Sequence, residues 1–175
     1  MPASRKRKSS PTKINPSNQP AVNGNSSDGP ADAILAMQDP YMDQIIPGQK
    51  TYESRKYRLQ PSVQRVWFCR VAPHSAITHI SEILPARTRD ADKPLEEDGL
   101  GNREFNTHDK DWRGYEYAYR ILTLYELNDP IPLSEMRGKY GFKGAPRAVL
   151  YVPREMAEDV IWDEQIKILD RCKDV

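Results

Sequence analysis

Residues 63 to 71 carry Val66, Trp67, Phe68 and Cys69 in unbroken succession. So short an apolar run, rich in aromatic and β-branched residues, reads as a strand at the centre of a core. After Pro73, the β-branched stretch from Ala76 to Leu84 is its natural neighbour in a sheet. Three further strands fall around this pair. From Thr51 to Leu59, Glu53, Arg55 and Tyr57 alternate with Tyr52, Ser54, Lys56 and Arg58; neither face is apolar, which places a wet surface nearby. From Tyr117 to Leu127 the alternation is apolar on both faces, and Arg147 to Val152 is a last short strand. Asp39 followed by Pro40 has the order of an N-cap and first helical residue, with Tyr41, Met42, Ile45 and Ile46 on one apolar face and Pro47-Gly48 as the stop. Pro130-Ile131-Pro132 is expected to turn the chain, and Ser134 to cap a helix through Tyr140. Asp109 to Tyr115 suits a helical turn carrying Trp112, and Arg87 to Asn102 reads as a long acidic loop. Beyond Arg154 the pattern suits either helix or strand, with Asp163 placed to cap a last helix. The expected class is α+β: a small, partly closed β-barrel of about five strands flanked by short helices.

A chain of 175 residues supports one such core. Hydrophobic residues make up only 38%, beside 15 prolines and 29% charged residues, so part of the chain is expected to stay unfolded. That part is residues 1–30, a basic tail almost without large apolar side chains; residues 31–175 form the domain. The tail is net +4 and the remainder net −3, so any polyanion site must be local. Two patches of +3 qualify, Lys50 to Arg58 and Glu135 to Arg147. Arg5-Lys6-Arg7-Lys8 has the form of a nuclear-import signal, or of an unselective basic tail. With no apolar run of spanning length and no signal-peptide pattern, a soluble nuclear or cytoplasmic protein is expected, without a membrane partner. Cys69 and Cys172 are read as reduced thiols, one buried and one at the surface. His74, His79 and His108 lack ligand spacing and no glycine-rich phosphate loop is present, so neither metal nor cofactor is expected.

The segment Tyr41-Met42-Asp43-Gln44-Ile45-Ile46-Pro47-Gly48-Gln49-Lys50-Thr51-Tyr52-Glu53-Ser54-Arg55 resembles the signature of ASCH domains, a branch of the PUA-like superfamily. In that pattern an amphipathic helix leads into Gly-x-Lys-Thr-x-Glu-x-Arg, matched here by Gly48, Lys50, Thr51, Glu53 and Arg55. A looser likeness follows Leu127, through Pro130-Ile131-Pro132-Leu133 and a short helix to another strand. The likeness spans roughly residues 39 to 162, and the acidic loop is longer than in a minimal domain of this kind.

The resemblance implies RNA, or a nucleotide or modified nucleoside, held in a basic cleft between the first helix and the barrel. The residues expected to bind it are Lys50, Tyr52, Glu53, Arg55, Arg58, Lys143 and Arg147. Glu53 and Arg55 share a strand face, and with Lys50 they could hold a phosphate and a base edge; equally, they could pair with each other or with Arg147 and simply lock the strand. A second reading is a small hydrolase, an amidohydrolase on a modified nucleoside or a ribonuclease, with Lys50 and Glu53 catalytic. The threonine nucleophile of such amidohydrolases lies three residues beyond the lysine, where this chain has Glu53, and Thr51, one step along the strand from Lys50, should point to the face opposite that lysine. A third is a protein-interaction module using the acidic loop and the basic tail. A monomer is expected.

Overall fold

The structure is a computed structural model that describes residues 30–173. The Arg5–Lys8 cluster and the tail through residue 29 therefore lie outside the described residues. A six-stranded sheet runs in the order β8-β1-β3-β4-β7-β9, built from β1 (Asp32–Met37), β3 (Arg65–Arg70), β4 (Ala76–Glu82), β7 (Thr123–Pro132), β8 (Leu150–Tyr151) and β9 (Ile166–Asp170). A three-stranded sheet, β2-β6-β5, uses β2 (Tyr52–Arg55), β6 (Tyr117–Arg120) and β5 (Arg87–Thr88). Four short helices accompany them among the described residues: α1 (Asp39–Ile45), α2 (Asn102–Asn106), α3 (Leu133–Tyr140) and α4 (Arg154–Asp159).

The central strand explains itself. β3 has a neighbour on each side, β1 parallel and β4 antiparallel, and its side chains alternate between two apolar clusters. Val66 and Phe68 join Leu35, Met37, and Met42 and Ile45 of α1. Trp67 and Cys69 join Ile34, Ile77, Ile80, Met136 of α3 and Met156 of α4. A strand covered on both faces must be apolar at every position, which is why the Val66–Cys69 run is unbroken.

Several expectations are corrected. Among the described residues the strands number nine rather than about five, and the main sheet is not closed into a barrel, since it ends at β8 and β9. β1 was not anticipated, because Ala33, Leu35, Ala36 and Met37 are good helix formers and so short an apolar run suits helix and strand alike. The helix N-cap is Gln38, not Asp39, whose carboxylate instead pairs with Arg70 at 2.9 Å. Pro130–Pro132 extend β7 rather than turning, and α3 begins at Leu133 with no side-chain cap from Ser134. The Tyr117–Leu127 stretch breaks after Arg120, so that β6 enters the small sheet and β7 the large one. The chain past Asp163 forms β9 against β7 instead of a helix.

The acidic loop is a clasp on the small sheet. Glu96 accepts hydrogen bonds from the Tyr52 hydroxyl and, at 2.8 Å, from Arg87. Asp98 accepts from the Thr51 hydroxyl at 2.9 Å and pairs with Arg120 at 2.7 Å. Burial by itself would raise the Glu96 carboxyl, but the hydrogen bonds from Arg87 and Tyr52 outweigh it and hold it at about 2. Gly99 is required here, because a Cβ would lie 2.4 Å from the Thr51 hydroxyl oxygen. Asp98→Ala leaves the largely buried Arg120 guanidinium without its carboxylate, at a cost of about 1–3 kcal/mol. A lowered Tm together with new protease cleavage between residues 90 and 100 is the expected result; an unchanged cleavage pattern would refute the clasp.

Candidate functional site

Where α1 gives way to β2 the backbone must reverse tightly. Gly48 does this at φ +79°, and a Cβ there would come within 2.8 Å of the Arg171 guanidinium. The Lys50 amide then donates to the Gln44 carbonyl at 2.9 Å, fixing where the lysine leaves the helix. Lys50 is only 5% exposed; its ammonium donates to the Tyr52 carbonyl and lies 3.5 Å from the Glu53 carboxylate. Burial pulls the Lys50 ammonium below its usual range, more strongly than Glu53 raises it. Glu53, also 5% exposed, accepts from Arg55 at 2.8 Å, and Arg55 donates in turn to the Ala36 carbonyl at 3.0 Å. The carboxylate is thus flanked by two cations, each held by a backbone carbonyl.

These three residues line one open cleft of about 420 Å³ with Ser54, Trp112, Tyr115, Tyr41 and Arg147. Trp112 and Tyr115 meet edge to face at 5.6 Å, and Lys56 lies 5.0 Å above the Tyr115 ring. Tyr41 is 47% exposed and Arg147 is exposed without an ion pair among the described residues, so the mouth is wet while the floor is buried. The arrangement offers a fixed acceptor between fixed donors, aromatic faces, and a free cation at the rim.

Of the seven residues expected at the site, four meet here: Lys50, Glu53, Arg55 and Arg147. Tyr52 does not. Its ring packs with Leu95, Phe105 and Ala118 behind the strand, and its hydroxyl is bound to Glu96. Arg58 is exposed and absent from the cleft wall, and Lys143 lines the neighbouring groove. The lock between Glu53 and Arg55 is real, yet it sits at an open cleft. Thr51 faces away, its hydroxyl held by Asp98 and by the Asn102 amide at 2.8 Å. Tyr41, Trp112 and Tyr115 were not anticipated at the site; the available signal was Trp112-Arg113-Gly114-Tyr115, two aromatics about a glycine in an otherwise polar segment.

The class this defines is a small α+β domain with a polar, aromatic-walled cleft beside an open mixed sheet. The fold is that of an ASCH domain: the crystal structure of ASCH from Zymomonas mobilis is similar over 75% of this chain and 94% of that one, at a TM-score of 0.51 and 18% identity. A point-mutant form of the same protein matches at TM-score 0.51 and 19% identity over the same shares. No protein-family model matches the chain, and no curated protein does.

Proposed function

We propose that this protein binds RNA or a nucleotide-like ligand, with one nucleotide unit seated in the cleft. The supporting observation is the buried Lys50–Glu53–Arg55 group beneath Trp112 and Tyr115, in a space sized for a single nucleotide. Glu53 accepts from the donor edge of a base, an aromatic wall stacks on its face, and Arg147 at the rim takes a phosphate. Binding is favoured over hydrolysis because both Glu53 oxygens already engage cations and the Thr51 hydroxyl is held on the far side of the strand. Among the described residues no helix is long and apolar enough to cross a membrane. A nuclear or cytoplasmic location, with Arg5-Lys6-Arg7-Lys8 directing import, belongs to the same proposal.

Calorimetric titration with the four nucleoside monophosphates and with short single-stranded RNA tests it. Arg147→Ala is expected to weaken binding without lowering Tm, and to reduce the slope of log K against log salt for single-stranded RNA by about 0.7, the share of one phosphate contact. Failure of every nucleotide and RNA to bind the wild-type chain would overturn the reading. Turnover of a modified nucleoside or RNA that disappears in Glu53→Gln while binding persists would establish the hydrolase instead.

A further inference from the structure

Between α3 and β8 the chain returns as Gly141-Phe142-Lys143-Gly144-Ala145-Pro146-Arg147, without regular structure. This segment joins the cleft to two further depressions. Arg147 forms part of the cleft wall and part of a groove running along residues 140 to 153. Phe142 and Lys143 belong to that groove and also to a shallower depression over Ser134, Arg137 and Gly138 on α3. Each depression thus shares a wall residue with the next: Arg147 between the cleft and the groove, Phe142 and Lys143 between the groove and α3.

The charges along the path are unspent. Arg147, Lys143 and Arg137 are all exposed, and none forms an ion pair among the described residues, whereas Arg65, Arg70, Arg87 and Arg120 each hold a carboxylate. Lys139 on the same helix is neutralised by Asp159 at 2.8 Å, so it is not part of the row. Glu135 is the acidic residue nearest in sequence. Gly141 is the left-handed C-cap of α3 at φ +73°, but a Cβ at Gly138 or Gly144 would meet nothing within 4 Å, so packing does not explain the bare backbone at those two positions. Bare backbone beside free cations admits close approach of a phosphodiester chain. Phe142, half-buried between the two depressions, offers an aromatic surface midway.

We propose that a single-stranded nucleic acid seated in the cleft continues out over Arg147, past Phe142 and Lys143, to Arg137, so that the ligand is a strand of several nucleotides rather than a free nucleotide. This rests on the cleft reading above. Single-strandedness follows from the cleft, which has room for one nucleotide and none for a base pair, and from the irregular path of the cations. RNA and single-stranded DNA share this chemistry; the 2′-hydroxyl is the only group that separates them.

The test compares a fluorescein-labelled mixed-sequence RNA hexamer, its DNA equivalent, a duplex RNA of the same length and the nucleoside monophosphates, across a salt series. Wild type is expected to bind the single-stranded hexamer about tenfold or more tighter than any monophosphate. Arg137→Ala with Lys143→Ala should remove that advantage, lower the salt slope by about 1.4 for the two lost contacts, and leave monophosphate binding unchanged. Hexamer affinity and slope unchanged in the double variant would overturn the path and leave the cleft reading intact. Loss of hexamer binding in the double variant, with no effect of Arg147→Ala or Lys50→Met and no monophosphate binding, would overturn the cleft reading instead. Duplex binding tighter than single-strand binding would overturn the strand assignment, and the RNA-to-DNA ratio identifies the source.

Discussion

Glu53→Ala is expected to lower the melting temperature by on the order of 10 °C, the largest effect of any single substitution at the cleft. The reason is the company Glu53 keeps rather than the strength of its own contacts. Lys50 and Arg55 are largely buried on either side of it, and removing the carboxylate leaves two cations taken out of water with no counter-charge. Breaking a buried ion pair in this way costs about 3–5 kcal/mol. Glu53→Gln keeps the shape and some hydrogen bonding, so it should fall between the two. Adding Lys50→Met to Glu53→Gln should recover part of the loss, because it removes one of the stranded charges. The variant should also recover with alkali. Burial already holds Lys50 below its usual 10.5, and without Glu53 it drops further. Between that lowered value and 10.5 the unfolded chain binds the extra proton, so stability rises with pH across the window, and more so in Glu53→Ala than in wild type. Thermal unfolding followed by circular dichroism at pH 7, 9 and 10 measures both effects. A melting temperature within a degree or two of wild type at pH 7 would show that the two cations are not buried as described.

The second large effect is acid destabilisation through His79. This residue lies on β4 between Phe68 of β3 and Glu126 of β7 and is 4% exposed, with its Nδ1 2.8 Å from the Thr78 hydroxyl. Burial, with a smaller contribution from the nearby Arg70, lowers the imidazole from 6.5 to about 4. Over that interval the unfolded chain binds a proton that the folded chain refuses. Stability is therefore full above pH 6.5 and declines towards pH 4, by about 3 kcal/mol at about 1.4 kcal/mol per pKa unit. Urea unfolding midpoints at pH 7, 5.5 and 4 should fall steadily in wild type and stay nearly level in His79→Gln. The acidic clasp overlaps only the pH 4 point, and equally in wild type and His79→Gln. Glu96 sits at about 2, so its contribution is present above 4.5 and is lost only as the pH falls towards 2. Parallel slopes for wild type and His79→Gln between pH 7 and 4 would refute the assignment.

Where sequence reading succeeded and where it failed follows from the range of the forces involved. The Val66–Cys69 run, the β3–β4 pairing, Met42 and Ile45 on the buried face of α1 and the Gly48 turn were legible because each is governed by neighbours within a few residues: periodicity, β-branching, and a backbone angle that glycine adopts freely; Tyr41, expected on that face, is exposed. The alternation of β2 also placed Glu53 and Arg55 together, as the structure has it, whereas Thr51 precedes the strand and is turned away by its bonds to Asp98 and Asn102. The same rule puts Tyr52 on the face opposite Glu53, and the expectation that Tyr52 joined the site went against it.

Tertiary structure alone decided the remainder. The parallel pairing of β1 with β3 and the antiparallel pairing of β9 with β7 depend on which edges remain open once the centre has formed, which no local pattern encodes. An expectation of a partly closed barrel could not anticipate a six-stranded sheet that ends at β8 and β9. The acidic loop looks like a solvated charge run until Arg87 and Arg120 are brought beneath it. Lys50, Glu53 and Arg55 were visible as a motif, but the cleft exists because Trp112 and Tyr115 from one connection and Arg147 from another converge on them. Side-chain direction along a strand is a property of the strand, and sequence determines it. The opposing wall of a cleft is supplied by distant chain, at positions set by the packing of every element between.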